Sequence, residues 1–241
     1  MLEKTKGIVL QQIKYSDSGI VVWFYTQKFG RQSFILKGLR SKKSGKHNVF
    51  CQPMSILDMV IYYKDSRSMQ TLKEFSVCYA PSDIYQNVRK CSVAIFLGEV
   101  LASVLSEESQ NSPLFTFLEE SIVYFDRCPD NFANFHIAFL AGLSSYLGFE
   151  PAPQTRNDDI YFDLLNGIFT PSPPTHSNYS DRNISGILAR FFSASYDNSK
   201  NINLTGALRN EILETLIKYY STHLPGLKKI RSLEILKEVF S

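Results

Sequence analysis

Along the first eighty residues the apolar positions come in short runs, each rich in β-branched and aromatic side chains and each closed by turn chemistry. GIVLQQI (7–13), IVVWFYT (20–26), QSFILKG (32–38), MSILDMVIYYK (54–64) and QTLKEFSV (70–77) read as five strands. The separators SDSG, QKFGR and KDSRS carry the Gly, Asp and Ser that tight reversals favour. Five short antiparallel strands in so short a span suit a small closed barrel, which leaves no long sheet edge exposed.

After Tyr79 the period changes. Pro81-Ser82-Asp83 is a helix start, and Ile84, Val88, Cys91, Ile95, Leu97, Val100, Leu101, Val104 and Leu105 recur at spacings of three and four, predicting one long helix. Pro113 opens a second helix and Pro129-Asp130 a third, the latter closing at Gly148; the three are expected to form a bundle. Residues 148–182 are irregular, apart from a hairpin signal at Asn166-Gly167 of the kind that two-residue turns use. Helical spacing returns over 184–196 and 204–224, and a short helix closes the chain. The expected class is α+β: a five-stranded barrel over 1–80, then an α-helical domain over 81–241 with an irregular insertion at about 148–182.

Composition sets the class of molecule. Of 241 residues 44% are hydrophobic and 20% charged, enough to bury a core. No run approaches the length of a membrane helix, and the first apolar stretch breaks too early for a signal peptide, so a soluble cytoplasmic protein with no membrane role is expected. Cys51, Cys78, Cys91 and Cys128 lack any C-x-x-C spacing, which predicts reduced thiols and no zinc site.

Charge is distributed unevenly. Residues 1–80 hold 13 Lys/Arg against 5 Asp/Glu, while residues 81–241 hold 13 against 18. Between Asp17 and Asp58 there is no carboxylate, yet Lys28, Arg31, Lys37, Arg40, Lys42, Lys43 and Lys46 all fall there, so a polyanion is the simplest partner. The glycines and serines of the basic loop favour backbone-to-phosphate contact over a base code. Trp23, Phe24, Tyr25, Phe34, Tyr62 and Tyr63 offer stacking surfaces, although a small barrel needs most such rings inside.

Catalytic chemistry is poorly represented. His47, His136, His176 and His223 are dispersed, with His136 among phenylalanines as a core residue would be, and Asp158, Asp159 and Asp163 read as turn and cap positions. No nucleophile-elbow, P-loop or dinucleotide motif is present, so no enzyme and no cofactor are expected.

K-x-x-G-I-V-L at the start, TQKFGRQSFILKGLRSKKS followed by QP at 52–53, SYLGFEP at 145–151 and LKKIRSLEILKEVF at 227–240 stand in an order that resembles the bacterial recombination mediator family RecO across essentially the whole chain. The resemblance implies an OB-fold followed by a helical domain. It also implies a non-enzymatic protein that binds single- and double-stranded DNA, anneals complementary strands, works with RecR, engages the acidic tail of single-stranded-DNA-binding protein, and helps load the recombinase RecA near the nucleoid during repair. On this reading the phosphate contacts are Arg31, Lys37, Arg40, Lys42 and Lys43, with Lys46 matched less closely; the charge pattern adds Lys28 to the expected DNA-binding set. Many members carry a four-cysteine zinc module after the position of Pro151; this chain has no cysteine after Cys128, so packing by Tyr161, Phe162, Leu164 and Phe169 is expected in its place. Two other readings remain open: an adaptor whose basic face takes acidic peptides, and an RNA-binding OB protein.

Overall fold

The computed structural model describes residues 1–15, 19–37, 51–105, 109–154 and 160–240, with the backbone alone at Lys37. Five strands form one antiparallel sheet in the order β3-β2-β1-β4-β5: β1 (Leu2–Lys14), β2 (Gly19–Thr26), β3 (Gly30–Lys37), β4 (Ile56–Tyr62) and β5 (Thr71–Tyr79). A parallel bridge between Phe34 and Gln70 brings the outer strands together and curls the sheet into a barrel. Val9, Val22, Phe24, Phe34, Leu57, Met59 and Ile61 fill it.

β1 begins five residues before its apolar run because it serves two neighbours in succession. Residues 7–14 pair with β2, whereas residues 2–8 pair with β4, so the charged stretch Leu2–Lys6 is a strand with one paired edge. The register shifts between Val9 and Gln11, a bulge that bends β1 around the barrel.

β2 does not alternate because both of its faces are covered. Phe24 points into the barrel, while Tyr25 on the other face stacks on Phe115 at 6.3 Å and donates from its hydroxyl to the Ser109 carbonyl.

The long helix expected after Pro81 is two. α1 (Ser82–Gln86) ends at Asn87, whose extended backbone (φ −104°, ψ 115°) breaks the helical path. The Asn87 side chain then accepts from the Arg89 and Lys90 N–H groups and starts α2 (Val88–Val104). The break lets Lys90, wholly buried, reach back to Asp83 and to the Asp126 carbonyl. Asp126 in turn accepts from Tyr79 at 2.7 Å and from the Ile84 N–H at 2.9 Å, tying β5, α1 and α3 (Ser112–Arg127) together.

Two compact units emerge: residues 1–127 with 230–236, and residues 128–229 with 237–241. The first therefore contains the barrel, α1, α2 and α3, and the start of α8 (Ser232–Phe240). There Glu99 caps α8, accepting from the N–H groups of Arg231 and Ser232 and from the Ser232 hydroxyl. The second contains a 3-10 turn (Phe132–Asn134), α4 (Phe135–Tyr146), α5 (Arg182–Ser193), α6 (Tyr196–Ser199) and α7 (Gly206–His223). It also holds a small sheet of β6 (Tyr161–Asp163), β7 (Ile168–Thr170) and β8 (Tyr179–Ser180). Gly148 ends α4 with φ +80°. The Asn166-Gly167 signal does mark a hairpin, but its loop has four residues, since β6 pairs Asp163 with Ile168.

Candidate nucleic-acid interface

β3 is the strand that carries the chain into its basic segment. It ends at Lys37, opposite Gly19, and Arg40, Lys42, Lys43 and Lys46 lie outside the described residues. Beside this end of β3, the Tyr15 N–H donates to the Gly19 carbonyl at 3.1 Å. Tyr15 is 59% exposed, with Ile13 at 43% and Lys14 also open to solvent. Sequence reasoning passed over Lys14 and Tyr15, which stand where the apolar run of β1 gives way to the SDSG turn.

The two candidate cations at the other end of β3 have partners of their own. Lys28 sits in the β2–β3 turn, which Thr26 organises by donating to the Gly30 carbonyl and accepting from the Phe29 N–H. Its ammonium lies 3.5 Å from Glu3, with its side chain half exposed. The carboxylate-free stretch of sequence is thus not carboxylate-free in space, because β1 brings Glu3 alongside. Arg31 donates from Nη1 to the Ala102 carbonyl in the last turn of α2 at 3.4 Å, and burial pulls its pKa down. A guanidinium at a helix C-terminus complements the carbonyl dipoles there. Lys6, too, is turned to a helix, pairing with Glu119 at 2.8 Å.

Most of the aromatic candidates are structural. Phe24, Tyr25 and Phe34 have no exposed surface, and Tyr63 is stacked on Phe29 with centroids 3.9 Å apart. Trp23 is half-buried, and Tyr62 keeps 47% of its surface exposed. Of the barrel's rings, Tyr62 and Tyr15 keep the most surface open to solvent. His136 is a core residue as its neighbours suggested: burial and the nearby Arg209 hold its pKa near 3, so the ring is neutral.

Two family models divide the chain between them: the N-terminal region of recombination protein O matches residues 1–80, and the C-terminal region of recombination protein O matches residues 85–234. This chain belongs to the RecO family. A protein named DNA repair protein RecO from Bacteroides fragilis is 36% identical over 241 residues, spanning the whole of both chains. Those of Phocaeicola vulgatus and Flavobacterium psychrophilum are each 34% identical, over all and 99% of both chains respectively. The barrel is accordingly the OB-fold of RecO, with a helical C-terminal domain after it.

In the part of this RecO chain where no cysteine occurs, side chains knit the small sheet. Phe162 is fully buried and stacks on Phe169 at 4.8 Å, Leu164 is buried, and Tyr161 packs edge-on against Tyr179. The Asp163 carboxylate accepts from the N–H groups of Leu165 and Asn166, from the Asn166 amide and from His176. Because the Asn178 N–H donates to His176 Nδ1, the ring proton sits on Nε2, facing Asp163. Among the described residues no three His, Cys, Asp or Glu side chains gather as a metal site.

Proposed function

We propose that this chain is a DNA repair and recombination mediator that binds single- and double-stranded DNA on its barrel unit and promotes annealing of complementary strands. The observation that carries the reading is the end-to-end match to relatives named DNA repair protein RecO, in a chain whose β3 runs directly into an acid-poor basic segment. Lys37, Arg40, Lys42, Lys43 and Lys46 are the proposed phosphate contacts, with Lys28 at the edge; Arg31 anchors β3 against α2 through Nη1, with its Nε buried. Annealing requires the mutual repulsion of two strands to be screened while their bases stay accessible, and cations that touch phosphate alone do this. The proposal needs no catalytic group and no cofactor.

The finer partners are proposed by analogy with the family. RecR is the proposed co-mediator, RecA the recombinase that benefits, and the acidic tail of single-stranded-DNA-binding protein the proposed ligand of the second unit. That unit offers a groove of about 650 Å³ with apolar walls from Pro151, Ala152, Pro153, Phe169 and Phe192, lined also by the cation of Arg190 and the carboxylate of Glu150. No helix among the described residues is long and apolar enough to cross a membrane, and the proposed workplace is the cytoplasm, where the DNA is.

The test replaces Lys37, Arg40, Lys42 and Lys43 together by Glu and follows DNA binding across a salt series. Affinity should fall, and the dependence of log K on log salt should flatten by about 0.7 per lost contact on single strands. Unchanged affinity and slope overturn the site. An acidic tail peptide should leave DNA bound if it docks in the Arg190 groove; full displacement places it on the basic segment instead.

A further inference from the structure

The β4–β5 loop, residues 64–69, is exposed along its whole length, yet it is held at both ends by one buried residue. Gln70 is 3% exposed. Its amide oxygen accepts from the Lys64 N–H at 3.0 Å, and its amide nitrogen donates to the carbonyls of Lys64 at 3.0 Å and Arg67 at 2.9 Å. The Gln70 N–H donates to the Ser33 carbonyl at 2.8 Å, and the Ser33 hydroxyl donates to the Ser68 carbonyl at 2.7 Å. The six loop residues would otherwise retain their backbone freedom. The clamp removes that freedom and fastens the loop to the outer edge of β3.

What the clamp presents is cationic. Lys64 and Arg67 are both exposed, and neither has an ion-pair partner among the described residues. The one carboxylate in the loop, Asp65, lies close enough to Tyr63 to raise its pKa, and against the two cations it leaves the loop a net charge of +1. From Ser33, where the loop is fastened, β3 runs four residues to Lys37, about 13 Å at the rise of a strand.

We propose that Lys64 and Arg67 form a second phosphate grip, continuous along β3 with the basic segment, so that one nucleic-acid strand is held at two points. This rests on the DNA-binding reading above and extends it to residues outside the acid-free stretch. Cations on a pre-ordered loop lose little freedom when a ligand arrives. A ligand with evenly repeated charge meets both grips in any register, which a folded acidic protein does not.

The experiment measures fluorescence anisotropy with labelled oligothymidylates of about 10 and about 30 nucleotides, over a salt series, for the full chain. Variants are Lys64→Glu with Arg67→Glu, and the four-residue variant of the basic segment. The loop variant should bind the long probe about tenfold more weakly, with the salt slope flattened by about 1.4 for two lost contacts, and bind the short probe as the parent does. The basic-segment variant should weaken both. If the loop variant matches the parent on the long probe while the basic-segment variant fails, the second grip is refuted and the DNA reading stands. If neither variant changes binding, both are refuted. If the loop variant loses an acidic peptide and not DNA, the grip belongs to a protein partner and the proposal falls.

Discussion

Gly98, midway along α2, lies directly against the carbonyl oxygen of Leu10, the residue at the bulge of β1. A β-carbon at position 98 would sit under 3.0 Å from that oxygen and 3.2 Å from the Pro53 Cβ. The helix can rest on the barrel there only because the side chain is absent.

Gly98→Ala should therefore destabilise the barrel unit, although alanine is worth up to about 1 kcal/mol more than glycine within a helix. Backbone and Pro53 must move aside, and overpacking of this kind costs about 1–3 kcal/mol. Gly186→Ala in α5, where a β-carbon meets nothing within 4 Å, should be neutral or stabilising. In thermal melts Gly98→Ala should lower Tm while Gly186→Ala should not; a rise in Tm for Gly98→Ala would contradict the packing described.

Lys90→Met removes a buried cation while keeping most of its bulk. Asp83, its carboxylate partner, is half exposed and can be resolvated, so the full penalty of an orphaned buried charge does not apply. The Asp126 carbonyl, however, loses a donor. The expected cost is about 1–3 kcal/mol, that of one unsatisfied buried acceptor, read from denaturant midpoints.

Asp163 governs the small sheet of the second unit. Burial pushes its pKa up, but hydrogen bonds from the Asn166 side chain and from the Asn166 and Leu165 N–H groups, with electrostatic attraction to the His176 ring, outweigh this and hold it below its ordinary 3.8. A carboxyl depressed on folding stabilises the fold above its unfolded pKa, and that contribution disappears as pH drops through the folded value. Amide protection factors over residues 161–180, measured against the intrinsic exchange rate at each pH, should accordingly fall below about pH 4. Asp163→Asn should lower them at neutral pH, at a cost of about 1.5–3 kcal/mol, because an amide nitrogen would face donors from Asn166 or His176.

How legible the molecule was from its residues depended on whether the deciding contact was local. All five barrel strands were readable, since each is a run of β-branched and aromatic residues ended by turn residues. The start of β1 was not, because Leu2–Lys6 is a strand only by virtue of β4 beside it. Asn87 carried a readable signal, an N-cap residue, hidden by apolar spacing that runs on through it. The basic segment was conspicuous as composition. That Lys28 would meet Glu3, that Arg31 would turn to Ala102, and that Gln70 would clamp Lys64 and Arg67 to Ser33 could not be seen, since each joins residues far apart in the chain or depends on barrel closure.

Local chemistry along the chain sufficed for the number and kind of elements, the excess of cations before residue 80 and the missing cysteines after Cys128, because periodicity, turn residues and charge are properties of neighbours in sequence. Tertiary structure alone decided which cations are spoken for, which of the barrel's rings are left exposed, and that the helices up to Arg127 join the barrel in one compact unit. Those outcomes turn on burial and pairing, which arise only when the barrel closes and the helices settle on it.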